Sequence, residues 1–261
     1  MTLKPFLKWV GGKTQILPIV LNTFPEQITN YHEPFLGGGS VLLATLPRVS
    51  GSVFASDLNP HLIALYTMVR DHPEELIAEL EVLKEDTTED TYYDRRAAFN
   101  TMPTPALFMY LNKVCFRGVY REGPKGFNVP FGHMNSPGIF DADHVRSVSR
   151  AIQRVVFTCQ GFDESLLTVK AGDFVYLDPP YAPVDEKSFV GYTSKGFPVE
   201  QHQQLFDQTR ALPCPWVMSN ADVPAVRVAF DGYNITPLTA RRAINSKNPG
   251  SQAGEVLIFH R

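Results

Sequence analysis

The apolar run Phe174-Val175-Tyr176-Leu177 breaks off at Asp178-Pro179-Pro180-Tyr181, and this junction constrains the chain more than any other stretch. Four apolar residues after the turn signal Gly172-Asp173 predict a short buried strand. Two consecutive prolines end it and fix the backbone just beyond. An acid, a rigid carbonyl-bearing turn and an aromatic ring therefore stand at the carboxyl edge of a sheet, where open α/β proteins bind ligands. Such an edge suits a planar amine. The Asp178 carboxylate and the Pro179 carbonyl can accept its two N–H bonds, and the Tyr181 ring can stack on the base. A strand-terminating turn with a chance tyrosine satisfies the same four residues, so the rest of the chain has to decide.

The surrounding pattern is one of strands alternating with helices, with one long interruption. A short helix is predicted over 13–23 and a strand over 31–35 running into Leu36-Gly37-Gly38-Gly39, with a helix from Ser40. A second strand, 52–56, ends at Asp57, and Asn59 can cap the next helix with Pro60 at its first position. From there to about residue 145 the alternation stops. Helical patterns follow at 60–70, 73–85, 91–100 and 104–114, then a loop or hairpin rich in Gly, Arg and aromatics. Strands resume at 155–158, 173–178 and 216–219, and two late ones, 232–236 and 255–260, flank a basic Gly/Ser/Asn loop. The prediction is a doubly wound α/β sheet interrupted by a mainly helical insertion, with a catalytic domain of 1–59 and 146–261 and a second domain of 60–145.

Composition allows this. The 261 residues, 44% apolar and 20% charged, suffice for a full globular core. The amino terminus has no apolar signal region, and no run approaches membrane-spanning length, so a cytoplasmic protein without a membrane partner is expected. Cys115, Cys159 and Cys214 form no CxxC and read as buried or partly buried free thiols. The seven histidines show no metal spacing, and no metal is expected. The net charge of −3 argues against a nucleic-acid partner, but its distribution reverses that. Residues 71–90 carry nine acids and one lysine, residues 91–154 nine Lys/Arg and four acids, and residues 236–249 three basic groups and no acid. The acidic run reads as a solvated helix face, and the segregation by sign suggests one face for a polyanion.

Three further motifs bear on the ligand. Phe35-Leu36-Gly37-Gly38-Gly39 joins a strand to a helix, and its glycines permit close backbone approach by a ligand. A dinucleotide fingerprint needs glycine at position 42, where Leu42 stands, so a NAD site is disfavoured. Asp57, about twenty residues on, stands where an acid accepts both ribose hydroxyls, and loop plus acid indicate an adenosine-type ligand. Gly11-Gly12-Lys13-Thr14 imitates a phosphate loop, but position 7 is Leu7 rather than glycine, which rejects an NTPase. Residues 115–133 interleave Arg117, Arg121 and Lys125 with Phe116, Tyr120, Phe127 and Phe131. Such groups can contact phosphates, read guanine or wedge into a base stack, and they equally describe a half-buried hairpin.

Taken together these residues resemble the DNA adenine-N6 methyltransferases of the GATC-recognising (Dam) type over nearly the whole chain. Phe6 to Lys13 is similar to the family's amino-terminal signature, Tyr31 to Gly39 to its S-adenosylmethionine loop, and Ser56-Asp57-Leu58-Asn59 to its ribose-binding turn. Gly126 to Gly132 resembles the signature of its recognition region, and Asp178-Pro179-Pro180-Tyr181 its catalytic motif. The resemblance implies a class I methyltransferase fold, a target-recognition insertion, S-adenosyl-L-methionine as cofactor and double-stranded DNA as partner, with a monomer or a weak dimer on the DNA. It implies cofactor contacts from Trp9, Lys13, Phe35, Gly37, Gly39, Asp57, Phe162 and Asp178, with Phe35 and Phe162 walling the pocket. It implies DNA contacts from Lys8, Phe116, Arg117, Val119, Arg121, Asn128 and Pro130. The sequence departs from the family at Arg117, often Asn, at His133, often Arg, and at Gly161, often Asp, which leaves the recognition sequence open.

The implied chemistry is methyl transfer to the N6 amine of a flipped adenine, with Asp178, Pro179, Pro180 and Tyr181 as the catalytic residues. No covalent intermediate and no cysteine nucleophile are required. Two alternatives stay open at this point: a catalytically silent DNA-binding relative, and a methyltransferase acting on another short site or another amine, such as cytosine N4 or RNA.

Overall fold

Short polar caps start several of the helices. A computed structural model describes residues 3–133, 138–183, 197–241 and 252–260. Its helices are α1 (Leu17–Asn22), α2 (Ser40–Thr45), α3 (Pro60–Asp71), α4 (Pro73–Lys84), α5 (Glu89–Thr101), α6 (Pro105–Val114), α7 (Ala142–Ala151), α8 (Phe162–Leu166), α9 (Val199–Arg210) and α10 (Pro224–Ala229). Its strands are β1 (Asn30–Glu33), β2 (Val53–Asp57), β3 (Glu122–Gly123), β4 (Gly126–Phe127), β5 (Val155–Cys159), β6 (Asp173–Leu177), β7 (Trp216–Ala221), β8 (Asn234–Arg241) and β9 (Gln252–His260). The Asn59 side chain accepts from the His61 and Leu62 N–H groups, Thr88 from Thr91, Thr104 from Leu107, and Asp141 from His144. Each bond satisfies a donor that the first helical turn leaves open and contributes about 1 kcal/mol. Among the described residues no helix is long and apolar enough to cross a membrane.

The chain divides into two compact units. The first comprises Met1–Thr14, Leu36–Pro47 and Asp57–Cys159 and is mainly helical. In it α3 packs on α4, α6, α7 and β5, and α6 also receives α4 and α5. Leu62, Tyr66, Leu80, Phe108 and Met109 are buried at these helix contacts. The predicted hairpin is the two-residue pair β3–β4. The acidic stretch lies on α4 and the start of α5, where Glu74 accepts two bonds from Arg146 of α7 at 2.7 and 2.8 Å.

The second unit comprises Gln15–Phe35, Arg48–Ser56 and Gln160–Arg261. Six of the seven strands of the main sheet belong to it, in the order β2-β1-β6-β7-β9-β8. The first three pairings are parallel, whereas β9 runs antiparallel to both β7 and β8. The result is a Rossmann-like mixed sheet. All five residues of β6 and all six of β7 are buried, as strands covered on both faces must be. β1 stops at Glu33, two residues earlier than predicted, because Pro34 has no N–H for the ladder. At the amino-terminal end of β1 and β6, Asp173 accepts from Asn30 at 2.8 Å and meets His32 at 3.0 Å. Burial pushes His32 below its ordinary value despite that carboxylate.

Cys115 and Cys214 are buried, but Cys159, expected to be at least partly covered, is exposed. It is the last residue of β5, where the chain leaves the strand, and its thiol reaches the Leu58 carbonyl at 3.8 Å.

Candidate active site

In the first unit the turn Leu36–Gly39 leads into α2. Gly37 and Gly39 have φ of +48° and +67°, a region in which a side chain clashes with its own backbone. A Cβ on Gly37 or Gly38 would also stand 2.9 or 2.8 Å from the Trp9 side chain, and one on Gly39 would collide with the Tyr66 hydroxyl. The protein's own rings thus stand against these glycines. Asp57 closes the turn: one carboxylate oxygen accepts from Gly37 N–H at 3.0 Å and the other from Asn59 N–H at 2.9 Å. Burial pushes the Asp57 carboxyl up, and these backbone bonds pull it back. The Leu58 backbone N–H adds to these two bonds.

Trp9 stacks on Tyr120 with ring centroids 6.3 Å apart. Lys13 is buried; its ammonium donates to the Gly11 carbonyl at 2.6 Å and its backbone N–H to the Ser40 hydroxyl at 3.2 Å.

The expected DNA-contact residues fall into two groups within this unit. Asn112, a buried residue that sequence reasoning missed, ties Lys8 to Gly118, the residue after Phe116 and Arg117. Its carboxamide accepts from Lys8 N–H at 3.0 Å and donates to the carbonyls of Lys8 and Gly118 at 2.7 and 3.3 Å. The Lys8 ammonium donates to the Lys113 carbonyl at 3.1 Å. Burial and the nearby Lys8 charge bring Lys113 down to about 8. Phe116 is 47% exposed, and Arg117, whose guanidinium lies 5.1 Å from the Phe116 ring, holds a φ of +57°.

The second group is the hairpin. Arg121 donates from Nε to the Asn128 side-chain oxygen at 2.6 Å and from Nη2 to the Asn128 carbonyl at 3.3 Å. One edge of the guanidinium is thus engaged by Asn128. Pro130 is exposed and its carbonyl accepts from Phe116 N–H at 2.9 Å, while Val119 is half-buried with its carbonyl near the Cys115 thiol. The stretch between them is clamped from α5. Tyr92 and Arg96 both donate to the Val129 carbonyl, and the Asn100 amide bridges the N–H and carbonyl of Phe127.

In the second unit β6 delivers Asp178 at its carboxyl end, followed by buried Pro179, exposed Pro180 and half-buried Tyr181. The Tyr181 hydroxyl donates to Glu255 of β9 at 3.2 Å. Burial pushes this phenol well above its ordinary value, and the charges of Asp178 and Glu255 add to the shift. The N–H of Ala182 donates to the Asn220 side-chain oxygen at 3.0 Å. Phe35 and Phe162 stack with centroids 5.6 Å apart, and Phe197 closes on both. Asn220, Glu255 and Phe197 were not singled out from the sequence. Arg241 lies in β8, whereas Arg242 and Lys247 of the late basic loop lie outside the described residues.

A family model described as D12 class N6 adenine-specific DNA methyltransferase matches residues 9–244. The chain belongs to this family. The methyltransferase is 35% identical over 288 residues to the type II methyltransferase M.MjaIII of Methanocaldococcus jannaschii, with both chains covered in full. It is 32% identical over 263 residues to M1.LlaDCHI of Lactococcus lactis, covering 95% of this chain and 92% of the relative. With the DNA adenine methylase of Haemophilus influenzae it shares 31% over 260 residues, covering 94% and 89%. The enzyme is an adenine-specific DNA methyltransferase that uses S-adenosyl-L-methionine, and its fold is the class I methyltransferase fold with a helical insertion.

Proposed function

We propose that the enzyme methylates the N6 amine of a flipped adenine in duplex DNA, in the site GATC, as a monomer or a weak dimer on the DNA. Catalysis belongs to residues 1–59 and 146–261, and target recognition to 60–145. The observation that carries the catalytic half is the turn after β6, which carries Asp178, the Pro179 carbonyl and the Tyr181 ring on three nearly consecutive residues beyond a fully buried strand. The adenine amine is a poor nucleophile, because its lone pair is delocalised into the ring. Hydrogen bonds from N6 to Asp178 and to the Pro179 carbonyl draw that nitrogen towards tetrahedral geometry, and Tyr181 stacks on the base. Stacking returns about 1–3 kcal/mol of the few kcal/mol that flipping requires. Orientation and fixed dipoles supply most of the acceleration. S-adenosylmethionine supplies an electrophilic methyl group. Trp9, Lys13, Phe35, Gly37, Gly39, Asp57, Phe162 and Asp178 are its candidate contacts, with Asp57 for the ribose.

Arg121 is the candidate reader of guanine. Asn128 engages its Nε and Nη2, and a guanidinium carries further N–H donors with which a base edge can be read. Lys8, Phe116, Arg117, Val119, Asn128 and Pro130 complete the proposed DNA surface. Arg117 supports a second reading, a related four-base site, because a second guanidinium stands four residues from the first. Sequencing the modified bases of a random DNA library is the test. GATC methylation at adenine N6 supports the first reading, another four-base site supports the second, and cytosine N4 products or no product overturn both. Arg121→Ala should relax the requirement at one base pair, with a loss of about 1–3 kcal/mol of discrimination.

A further inference from the structure

The turn after β6 is held from outside itself. β7 lies parallel beside β6, with Leu177 level with Met218, so Asn220 stands beyond the strand's last residue, beside the turn. β9 lies on the other side of β7, with Val256 opposite Asn220 and Glu255 opposite Ala221. Register therefore brings one amide and one carboxylate to the same sheet edge. Asn220 is fully buried, and its side-chain oxygen accepts two backbone N–H groups, from Ala182 at 3.0 Å and from Ala221 at 2.8 Å. Glu255 accepts from the Tyr181 hydroxyl at 3.2 Å. One bond fixes the backbone just past Tyr181, and the other fixes the far end of the Tyr181 ring.

Asn220 is out of place as a core residue. Trp216, Val217, Met218 and Ala221 of the same strand are buried and apolar, buried Ser219 pairs its hydroxyl with that of Tyr176, and a buried amide is unfavourable unless its hydrogen bonds are made. An apolar residue would serve packing equally well, but none could receive the Ala182 N–H. Prolines at 179 and 180 stiffen the first half of the turn covalently. The second half, Tyr181-Ala182, lies between Pro180 and Pro183, the latter restricting Ala182, and it receives these two tethers besides.

We propose that Asn220 and Glu255 are positioning residues that hold Tyr181 and the backbone beside it in the geometry that receives the target adenine. The inference rests on the reading of Asp178–Tyr181 as the catalytic turn. Neither residue touches the reacting atoms; both act through the turn.

The experiment is a kinetic double-mutant cycle in the full-length enzyme, with S-adenosylmethionine binding by calorimetry and thermal unfolding as controls. Tyr181→Phe removes the hydroxyl and keeps the ring, and Glu255→Ala removes the acceptor. Each should lower kcat by about 3- to 10-fold, with KM for DNA changed less than about 2-fold, and the double variant should be no slower than the slower single one. Glu255→Gln, whose amide oxygen still accepts, should restore most of kcat. Asn220→Ala should lower kcat by about 10-fold or more, and Asn220→Asp, which keeps the accepting oxygen, should recover most of it. Multiplicative effects of Tyr181→Phe and Glu255→Ala, or an Asn220→Asp variant that folds and is as slow as or slower than Asn220→Ala, would overturn the proposal. If Asn220→Ala does not fold, the Tyr181–Glu255 cycle and Asn220→Asp decide. Asp178→Ala run beside them tests the underlying reading separately: near-normal turnover in that variant removes the turn from catalysis, whereas an inactive Asp178→Ala with an uncoupled cycle leaves the turn catalytic and the tethers incidental.

Discussion

The turn after β1 and the turn after β6 are built on opposite principles. Leu36–Gly39 is shaped by the absence of side chains: two of its glycines hold positive φ, and Trp9 and Tyr66 occupy the space a Cβ would take. Asp178–Ala182 is shaped by the presence of side chains: two proline rings restrict it, and Asn220 and Glu255 tether it. The first turn cannot be altered without moving the packed rings of its own unit. The second presents its functional groups on a frame made elsewhere, so those groups can be altered while the frame stands. Substitutions in the first should therefore be read in stability, and substitutions in the second in rate.

The largest expected effect is at Asp178. Asp178→Ala should abolish turnover, a loss of more than about 3 kcal/mol in the transition state, while thermal unfolding and DNA binding stay close to those of the parent. Unfolding at a much lower temperature would break the comparison, because Asp178 would then belong to the frame.

Gly39→Ala should do the reverse. Strain at positive φ and the collision with Tyr66 should destabilise the fold by about 2–3 kcal/mol in denaturant titration. Full stability in this variant would show that the turn can shift to accept a methyl group.

Asp57 sharpens the contrast, since its carboxylate both closes the glycine turn and is the candidate acceptor of the ribose. Asp57→Ala should weaken S-adenosylmethionine binding by roughly 1–3 kcal/mol in calorimetry. Unchanged affinity would confine Asp57 to the turn.

The smallest effect concerns Arg117, a large residue at φ of +57°. Asn tolerates this region better, so Arg117→Asn should raise stability by about 0.5–1 kcal/mol, read as a shift in denaturant midpoint. A loss of stability would mean that the contact with Phe116 outweighs the strain.

Much of the framework was legible because its determinants are local. The strand before Asp178, the Asn59 cap and the four helices between Pro60 and Val114 follow from short-range pattern and backbone chemistry. Helices α7 to α10 went unread. α8 and α10 are five and six residues long, too short for an apolar period, and α7 and α9 are polar along most of their length. The antiparallel insertion of β9 between β7 and β8 was equally out of reach, since strand order depends on pairings between distant segments.

By itself, then, the sequence determined the motifs, their order, the family and the residue types at each turn, because glycine, proline, capping residues and apolar runs act on their immediate neighbours. Tertiary structure alone decided how those residues are held. Asn112 reaches Lys8 across 104 positions and Asn220 reaches Ala182 across 38. A buried amide looks the same in a sequence whether it tethers a functional turn or merely satisfies a loop. Its role depends on which backbone N–H the fold brings within 3 Å, and that is settled by strand register and packing rather than by any neighbour in the chain.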